Sequence, residues 1–381
     1  VAQEYVDQIG STGSRILGTS RWLNAVAVEA SPAQRQSITA LAFVRSTDPV
    51  LPMKHPPVDF SPTLPQLIFP KSSSTPSLDY GLSFTQLKNI KVVDVHSLGI
   101  HGSGVVIGMI DNGFNNHRSH TALRNIRLID EYDFIHGIQS TQRQPWETSS
   151  QGNHGQYTLS AVGGFHEGFL VGAAFGASFI LAKTEMDSTE VPQEEVLYVQ
   201  ALEWMEQRGA DVVSTSIGYI DWYSYDSLDG RTAITSKAAR VAASKGVLLV
   251  TAMGNERTGA TQTGTLIAPA DADSIISVGA TYSDYLIADF SSTGPTRDGR
   301  IKPEVMAQGV SVVSATGPTT TYVGIGGTSL STPLTAGVAA LIFSAHPELT
   351  PMQVRDAMIQ TAFRYNDPFM PTRTASYPNN Y

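Results

Sequence analysis

Ser329 stands in the run Gly326-Gly327-Thr328-Ser329-Leu330-Ser331-Thr332-Pro333, a glycine-rich turn leading into an apolar helical stretch at 334–343. A serine just ahead of a helix lies near unpaired backbone N–H groups and the positive end of the helix dipole. Its hydroxyl can attack a substrate there while neighbouring amides stabilise an anion. Taken alone, such a serine is a helix cap. Two further residues change that reading. Asp111 closes the apolar run Gly104-Val105-Val106-Ile107-Gly108-Met109-Ile110 and precedes Asn112-Gly113. A short, β-branched run is the pattern of a buried parallel strand, and catalytic groups of open α/β sheets gather where such strands end. His154, in Asn153-His154-Gly155, opens a segment at 156–162 that reads as a helix. Asp, then His, then Ser is one of the three chain orders in which the acyl-transfer triad occurs.

The chemistry requires these residue types. A serine hydroxyl is a weak nucleophile and needs a base to accept its proton during attack. Histidine, with a pKa near neutrality, takes that proton and returns it to the leaving amine. Each residue alone has a plainer reading: Asp111 as a turn residue, His154 as a loop or helix-start histidine, Asn255 as a loop residue after Gly254. Their joint presence in order favours the enzyme.

The chain resembles the subtilisin-like serine proteases, the subtilase family. Ile107 to Gly113 is similar to the family's Asp motif, His154-Gly155 with Ala161-Val162-Gly163-Gly164 to its His motif, and Gly327 to Pro333 to its Ser motif. Val250-Thr251-Ala252-Met253-Gly254-Asn255-Glu256 is similar to the strand ending in the oxyanion-hole asparagine. The resemblance runs from about Leu78 to the C-terminus. It implies that Asp111 orients His154, that Asn255 and the Ser329 N–H stabilise the oxyanion, and that polypeptides are the substrates. It also implies that Ser216-Ile217-Gly218 pairs with substrate as a β-strand, which favours broad endopeptidase specificity. Ala252-Met253-Gly254 would wall the pocket for the residue before the scissile bond, with Ile267 near its base where many relatives carry glycine. Met253 and Ile267 are equally readable as ordinary core.

Composition sets limits. With 381 residues, 41% hydrophobic and 15% charged, the chain is a folded protein large enough for two domains, or for one large α/β domain with an appendage. A net charge of −9 argues against nucleic acid or an anionic membrane as the main partner. No run of about eighteen apolar residues is evident, so no transmembrane segment is expected. The absence of cysteine excludes disulfides, thiolate ligands and a thiol nucleophile. No leader pattern precedes the chain at Val1, where one could already have been removed. A secreted or otherwise extracytoplasmic location is implied by the family alone.

The expected fold is α/β: a subtilisin-like three-layer structure with a mainly parallel sheet, preceded by a small α+β propeptide-like segment. Strands at 178–183, 211–216 and 246–252 alternate with helices at 193–207 and 234–244, the pattern of a parallel sheet covered on both faces. Thr350-Pro351 caps a last helix running to about 362. Residues 1–50 read as helix 2–9, strand 22–30, helix 33–41 behind the Ser31-Pro32 cap, and strand 43–46. This resembles the later part of a subtilase propeptide lacking its usual first strand, a segment that acts as intramolecular inhibitor of a zymogen. Residues 51–77 form a proline- and serine-rich linker, within which 50–55 would thread the cleft. Residues 78–381 form the catalytic domain, which ends in a polar tail where relatives continue with a glycine-rich strand.

Several positions depart from the family. Leu330 follows the nucleophile where methionine is usual, and Tyr157 replaces the second histidine of the family's His motif. His117 and His120 read as a surface loop rather than a metal site, since no carboxylate cluster accompanies them. The segment between Val162 and Gly172 lacks the asparagine-rich calcium loop of several relatives, so no cofactor is implied, calcium included. The rival to an active enzyme is a peptide-binding pseudoprotease. A third reading is an active fold silenced by its own N-terminal segment.

Overall fold

A computed structural model describes residues 1–48, 78–189, 191–259 and 261–363. The chain begins with α1 (Gln3–Gly10), an antiparallel hairpin of β1 (Arg15–Ser20) and β2 (Ala25–Glu29), and α2 (Pro32–Thr39). Ser31 starts α2 through a capping box: its hydroxyl accepts from Gln34 N while the Gln34 side chain accepts from Ser31 N. Residues 43–46, expected as a strand, have no strand partner. Phe43 instead stacks on Tyr5 of α1 with ring centroids 4.4 Å apart, so its apolar character serves ring packing. The proposed linker at 51–77 and the cleft-threading stretch at 50–55 lie outside the described residues.

The hairpin docks on the larger body through one carboxylate. Glu203 accepts from Ser20 Oγ (2.5 Å), Arg21 N (3.1 Å), Trp22 N (3.3 Å) and Arg21 Nε (3.4 Å). Trp22 and Leu23 pack beside it against the core.

After α3 (Phe84–Lys88) and α4 (Val92–His96) come β3 (Val106–Asp111), β4 (Arg127–Asp133), α5 (Asn153–Gly163) and the small hairpin β5–β6 (Phe165–His166, Leu170–Val171). β7 (Ser178–Lys183), α6 (Gln193–Gln207), β8 (Val212–Thr215), α7 (Ile234–Ser244), β9 (Leu248–Ala252), β10 (Ile276–Thr281) and β11 (Val305–Gln308) follow. The chain closes with the hairpin β12–β13 (Val312–Thr316, Thr321–Ile325), α8 (Thr328–Ala345) and α9 (Pro351–Thr361). Seven strands make one sheet, β11-β10-β9-β8-β3-β7-β4, with every neighbouring pair parallel.

The unbroken apolar strands follow from burial on both faces. Ile107, Met109, Phe179, Leu181, Val212, Leu248 and Val250 face α5 and α8 in one cluster. Their alternates Ile110, Ile180, Ala182, Val213 and Leu249 face α6 and α7 in another. The result is a three-layer α/β structure. α8 is long and apolar enough to cross a bilayer, with mean hydropathy 1.3 over 18 residues. It is a run that the sequence reading passed over, because its serines and threonines break the apolar pattern. It packs against the sheet with 72% of that stretch buried.

Candidate active site

Strand register assembles the site. Ile110 of β3 pairs with Thr215 of β8, and Thr215 with Thr251 of β9. The next residue on each strand is therefore Asp111, Ser216 and Ala252, side by side at the carboxyl edge. Asp111 is fully buried, and its carboxylate accepts from Asn112 N (2.8 Å), Thr158 Oγ1 (2.9 Å) and His154 Nδ1 (2.7 Å). His154 reaches it from the first turn of α5, which begins at Asn153 rather than at 156 because Gly152 turns the chain in at φ 80°. Gly155 permits the approach: any side chain there would overlap the Gly113 carbonyl. Burial pulls the His154 pKa down, but the charge and hydrogen bond of Asp111, aided by the charge of Asp187, hold it above the usual value.

A polar frame fixes the entry to α5. Gln151 donates to the carbonyls of Asn112 (2.5 Å) and Glu185 (2.7 Å) and accepts from Asp187 N (2.9 Å). Asn112 donates to Asp187 (2.6 Å) and accepts from Gly155 N (3.2 Å). Sequence reasoning missed Gln151, Asp187 and Thr158. Only Thr158 left a signal, standing one helical turn after His154 on the same face.

Ser329 lies inside the first turn of α8, not on a turn ahead of it, so its N–H is among the four that have no partner within the helix. Pro333 sits inside the helix and lacks the N–H that would bond the Ser329 carbonyl. That carbonyl instead accepts from Ser216 Oγ at 2.8 Å, while Ser329 Oγ donates to the Ser216 carbonyl at 3.2 Å. Asn255 Oδ1 accepts from Thr328 N (2.9 Å) and Thr328 Oγ1 (3.1 Å), which fixes which end of the amide is the donor. Between these donors stands Gly327 at φ 134°. A methyl carbon added to it would lie 3.7 Å from both Asn255 Nδ2 and Ser329 N, so glycine keeps that space open.

The remaining expected residues divide. Ser216, Ile217 and Gly218 continue β8, with Ile217 packed against the α6 and α7 cluster. Ala252 ends β9, and Gly254 follows at φ 105°. Met253 is fully buried among Leu266, Ala268 and Ala270, so its side chain is core, and its backbone bonds Val278 and Ile267. Leu330 is also fully buried, packed with Ala161, Val171 and Leu334.

His117 and His120 correct the surface-loop reading: they are 2% and 0% exposed. His120 accepts from Ala122 N (3.1 Å) and donates to the Thr321 carbonyl (3.1 Å). His117 donates to the Phe114 carbonyl (2.7 Å) and faces Glu131 at 3.6 Å. Burial would raise the Glu131 pKa, yet His117, Thr141 and Arg118 hold it down at about 2. A second cluster, Asp133, His136 and Glu147, has the spacing of a metal site. Lys183, fully buried, already places its ammonium against Asp133 (3.0 Å) and Glu147. Buried His96 bonds Tyr80 and the Ala173 carbonyl, and burial drops its pKa to about 4.

Comparison with known proteins agrees with this geometry. Residues 102–379 match the family model described as Subtilase family, and residues 1–59 match the Peptidase S8 propeptide domain of Bacteroidota. The chain is 33% identical to subtilisin DY of Bacillus licheniformis over 281 residues, 74% of this chain and 91% of that protein. It is 35% identical to subtilisin E of Bacillus subtilis (strain 168) over 286 residues, 75% of this chain and 66% of that protein. The crystal structure of a cold-adapted subtilisin-like serine proteinase superposes with TM-score 0.56 at 25% identity, covering 71% of this chain and 86% of the other. The fold is that of a subtilisin-like serine endopeptidase. The chain belongs to the subtilase family.

Proposed function

We propose that the chain hydrolyses internal peptide bonds through Ser329, His154 and Asp111, with Asn255 and the Ser329 N–H as oxyanion donors. The observation that carries this is the 2.7 Å bond from His154 Nδ1 to buried Asp111, at the sheet edge where Ser329 is tied to Ser216. Asp111 fixes the tautomer that leaves His154 Nε2 able to accept a proton. In the reaction Ser329 Oγ turns from the Ser216 carbonyl, gives its proton to Nε2 and attacks the scissile carbonyl carbon. The oxyanion enters the space beside Gly327, where losing an asparagine donor in a subtilisin costs about 10²–10³ in turnover. As the C–N bond breaks, His154 returns the proton to the leaving amine. Water then repeats the sequence on the acyl-enzyme and releases the acid.

Substrate pairs with the backbone of Ser216-Ile217-Gly218, which follows β8 out of the sheet. Residues 1–50, whose hairpin bonds Glu203, act as the inhibitory part of a zymogen, and the protein works outside the cytoplasm. The test is reaction of the full chain, incubated until its N-terminal segment is released, with a fluorophosphonate probe and mapping of the adduct. Labelling at Ser329 with parallel loss of casein hydrolysis is expected. A chain that binds peptide but takes no label would be the pseudoprotease.

A further inference from the structure

Beyond the carboxyl ends of β8 and β9 the chain continues as two walls, Ser216-Ile217-Gly218 and Met253-Gly254-Asn255. The segment Leu266-Ile267-Ala268 crosses between them and is tied to both. Tyr219 N donates to the Ala268 carbonyl (2.7 Å), Ala268 N to the Tyr219 carbonyl (3.0 Å), and Ile267 N to the Met253 carbonyl (3.3 Å). Leu266 and Ala268 are fully buried, whereas Ile267 keeps 9% exposure. Its side chain fills the gap between the walls. A methyl carbon added to Gly218 would lie 2.5 Å from Ile267 Cδ1, and one added to Gly254 would lie 3.0 Å from Ile267 Cγ2. The two glycines thus leave room for a side chain, and Ile267 occupies it from below.

The reacting carbonyl has its carbon at Ser329 Oγ and its oxygen beside Asn255, so the residue that donates the acyl group lies over these same walls. We propose that Ile267 floors the pocket for that residue and restricts it to alanine, glycine or serine. This rests on the assignment of Ser329 and Asn255 above. A leucine, phenylalanine or tyrosine needs the volume that the isoleucine holds, and a packed interior does not yield several carbons without strain.

The test has two arms on the full chain, incubated until its N-terminal segment is released, with active sites counted by fluorophosphonate titration of a separate aliquot. In the first, a peptide library is digested by the native enzyme and the new C-termini are read by mass spectrometry. Alanine, glycine and serine are expected, and dominance of leucine or aromatic residues overturns the proposal. In the second, kcat/KM is compared on paired peptide anilides ending in alanine or phenylalanine. Ile267→Ala should raise the phenylalanine-to-alanine ratio by about 100-fold or more, since one methylene in a pocket gives about 10–200-fold discrimination. Ile267→Val, one methylene smaller, should give a graded rise even where the alanine variant folds poorly. An unchanged ratio in enzyme whose titrated aliquot is labelled at Ser329 overturns the role of Ile267 alone. Labelling at another residue overturns the catalytic assignment, and this proposal with it.

Discussion

Among the described residues the sheet carries two histidine–aspartate pairs at one level, and only one of them belongs to the triad proposed above. Asp111 of β3 and Asp133 of β4 are both register partners of Lys183 on the strand between them. His154 bonds Asp111 at 2.7 Å, and His136 bonds Asp133 at 2.9 Å. Lys183 gives its ammonium to Asp133 and Glu147, so the negative charge beside His136 is already met. Trp146 Nε1 also donates to His136 Nε2 at 3.4 Å, occupying the nitrogen a base would use. Asp111 receives only neutral donors besides His154, and its charge acts on the imidazole. A carboxylate–imidazole contact is therefore common chemistry; where the neighbouring cation points decides whether it becomes a base.

The sharpest way to break this contrast is alanine substitution. Ser329→Ala and His154→Ala should each lower kcat by about 10⁶, with the double variant little worse, as for the triad of a subtilisin. His136→Ala should stay within about threefold by the same assay, because it touches no reacting atom. Normal turnover in either of the first two would falsify the assignment.

Asp111→Asn comes next, with a loss of about 10⁴ in kcat through the wrong tautomer. It also shifts the pH profile. Only neutral His154 accepts the proton, so kcat/KM in the parent rises with pH along a limb above the usual histidine value of about 6.5. Removing the Asp111 charge should move that limb to lower pH. The sign is opposite for stability: the raised folded pKa contributes fully below the unfolded value and the contribution fades as pH rises through the folded one. A profile flat from about pH 5 to 8 in the parent counts against His154 as base.

Lys183→Met tests the other pair. It strands Asp133 and Glu147 in the interior and should cost about 3–5 kcal/mol, read as a lowered unfolding midpoint. Turnover per active site, counted by titration, should hardly change.

The smallest effect concerns oxidation. Leu330 carries no sulfur, so dilute peroxide should leave most activity intact. Leu330→Met should make the enzyme sensitive, with Met253→Leu as control. Rapid loss in the parent even after Met253→Leu would argue against Leu330 lying beside the nucleophile.

β3, β7, β8 and β9 were legible because burial on both faces makes them unbroken apolar runs, and α6 and α7 because their apolar stripes end where the structure ends them. Asp111, His154, Asn255 and Ser329 could be picked out as candidates because each stands at or just past a strand end or helix start with a glycine within two residues. Less was visible where tertiary partners decide. His117 and His120 look polar enough for a surface, yet backbone carbonyls bond both inside, with Glu131 3.6 Å from His117. The start of α8 was obscured by Pro333, whose missing hydrogen bond is supplied from β8. Gln151 and Asp187 carry no local mark, since only the closed fold brings them to Asn112.

The order of strands also sets a timetable. Asp111 lies on β3, which is flanked in the sheet by β7 and β8, both made well after it, and Ser329 comes later still. A ribosome adding about 5–20 residues per second needs roughly 10–40 s to pass from the aspartate to the serine. His154 joins the charge partner early in that interval, and for the rest of it the nascent chain holds both with no serine to activate. Under the proposed assignment a growing chain cannot yet cut, because its nucleophile is made after its base and charge partner.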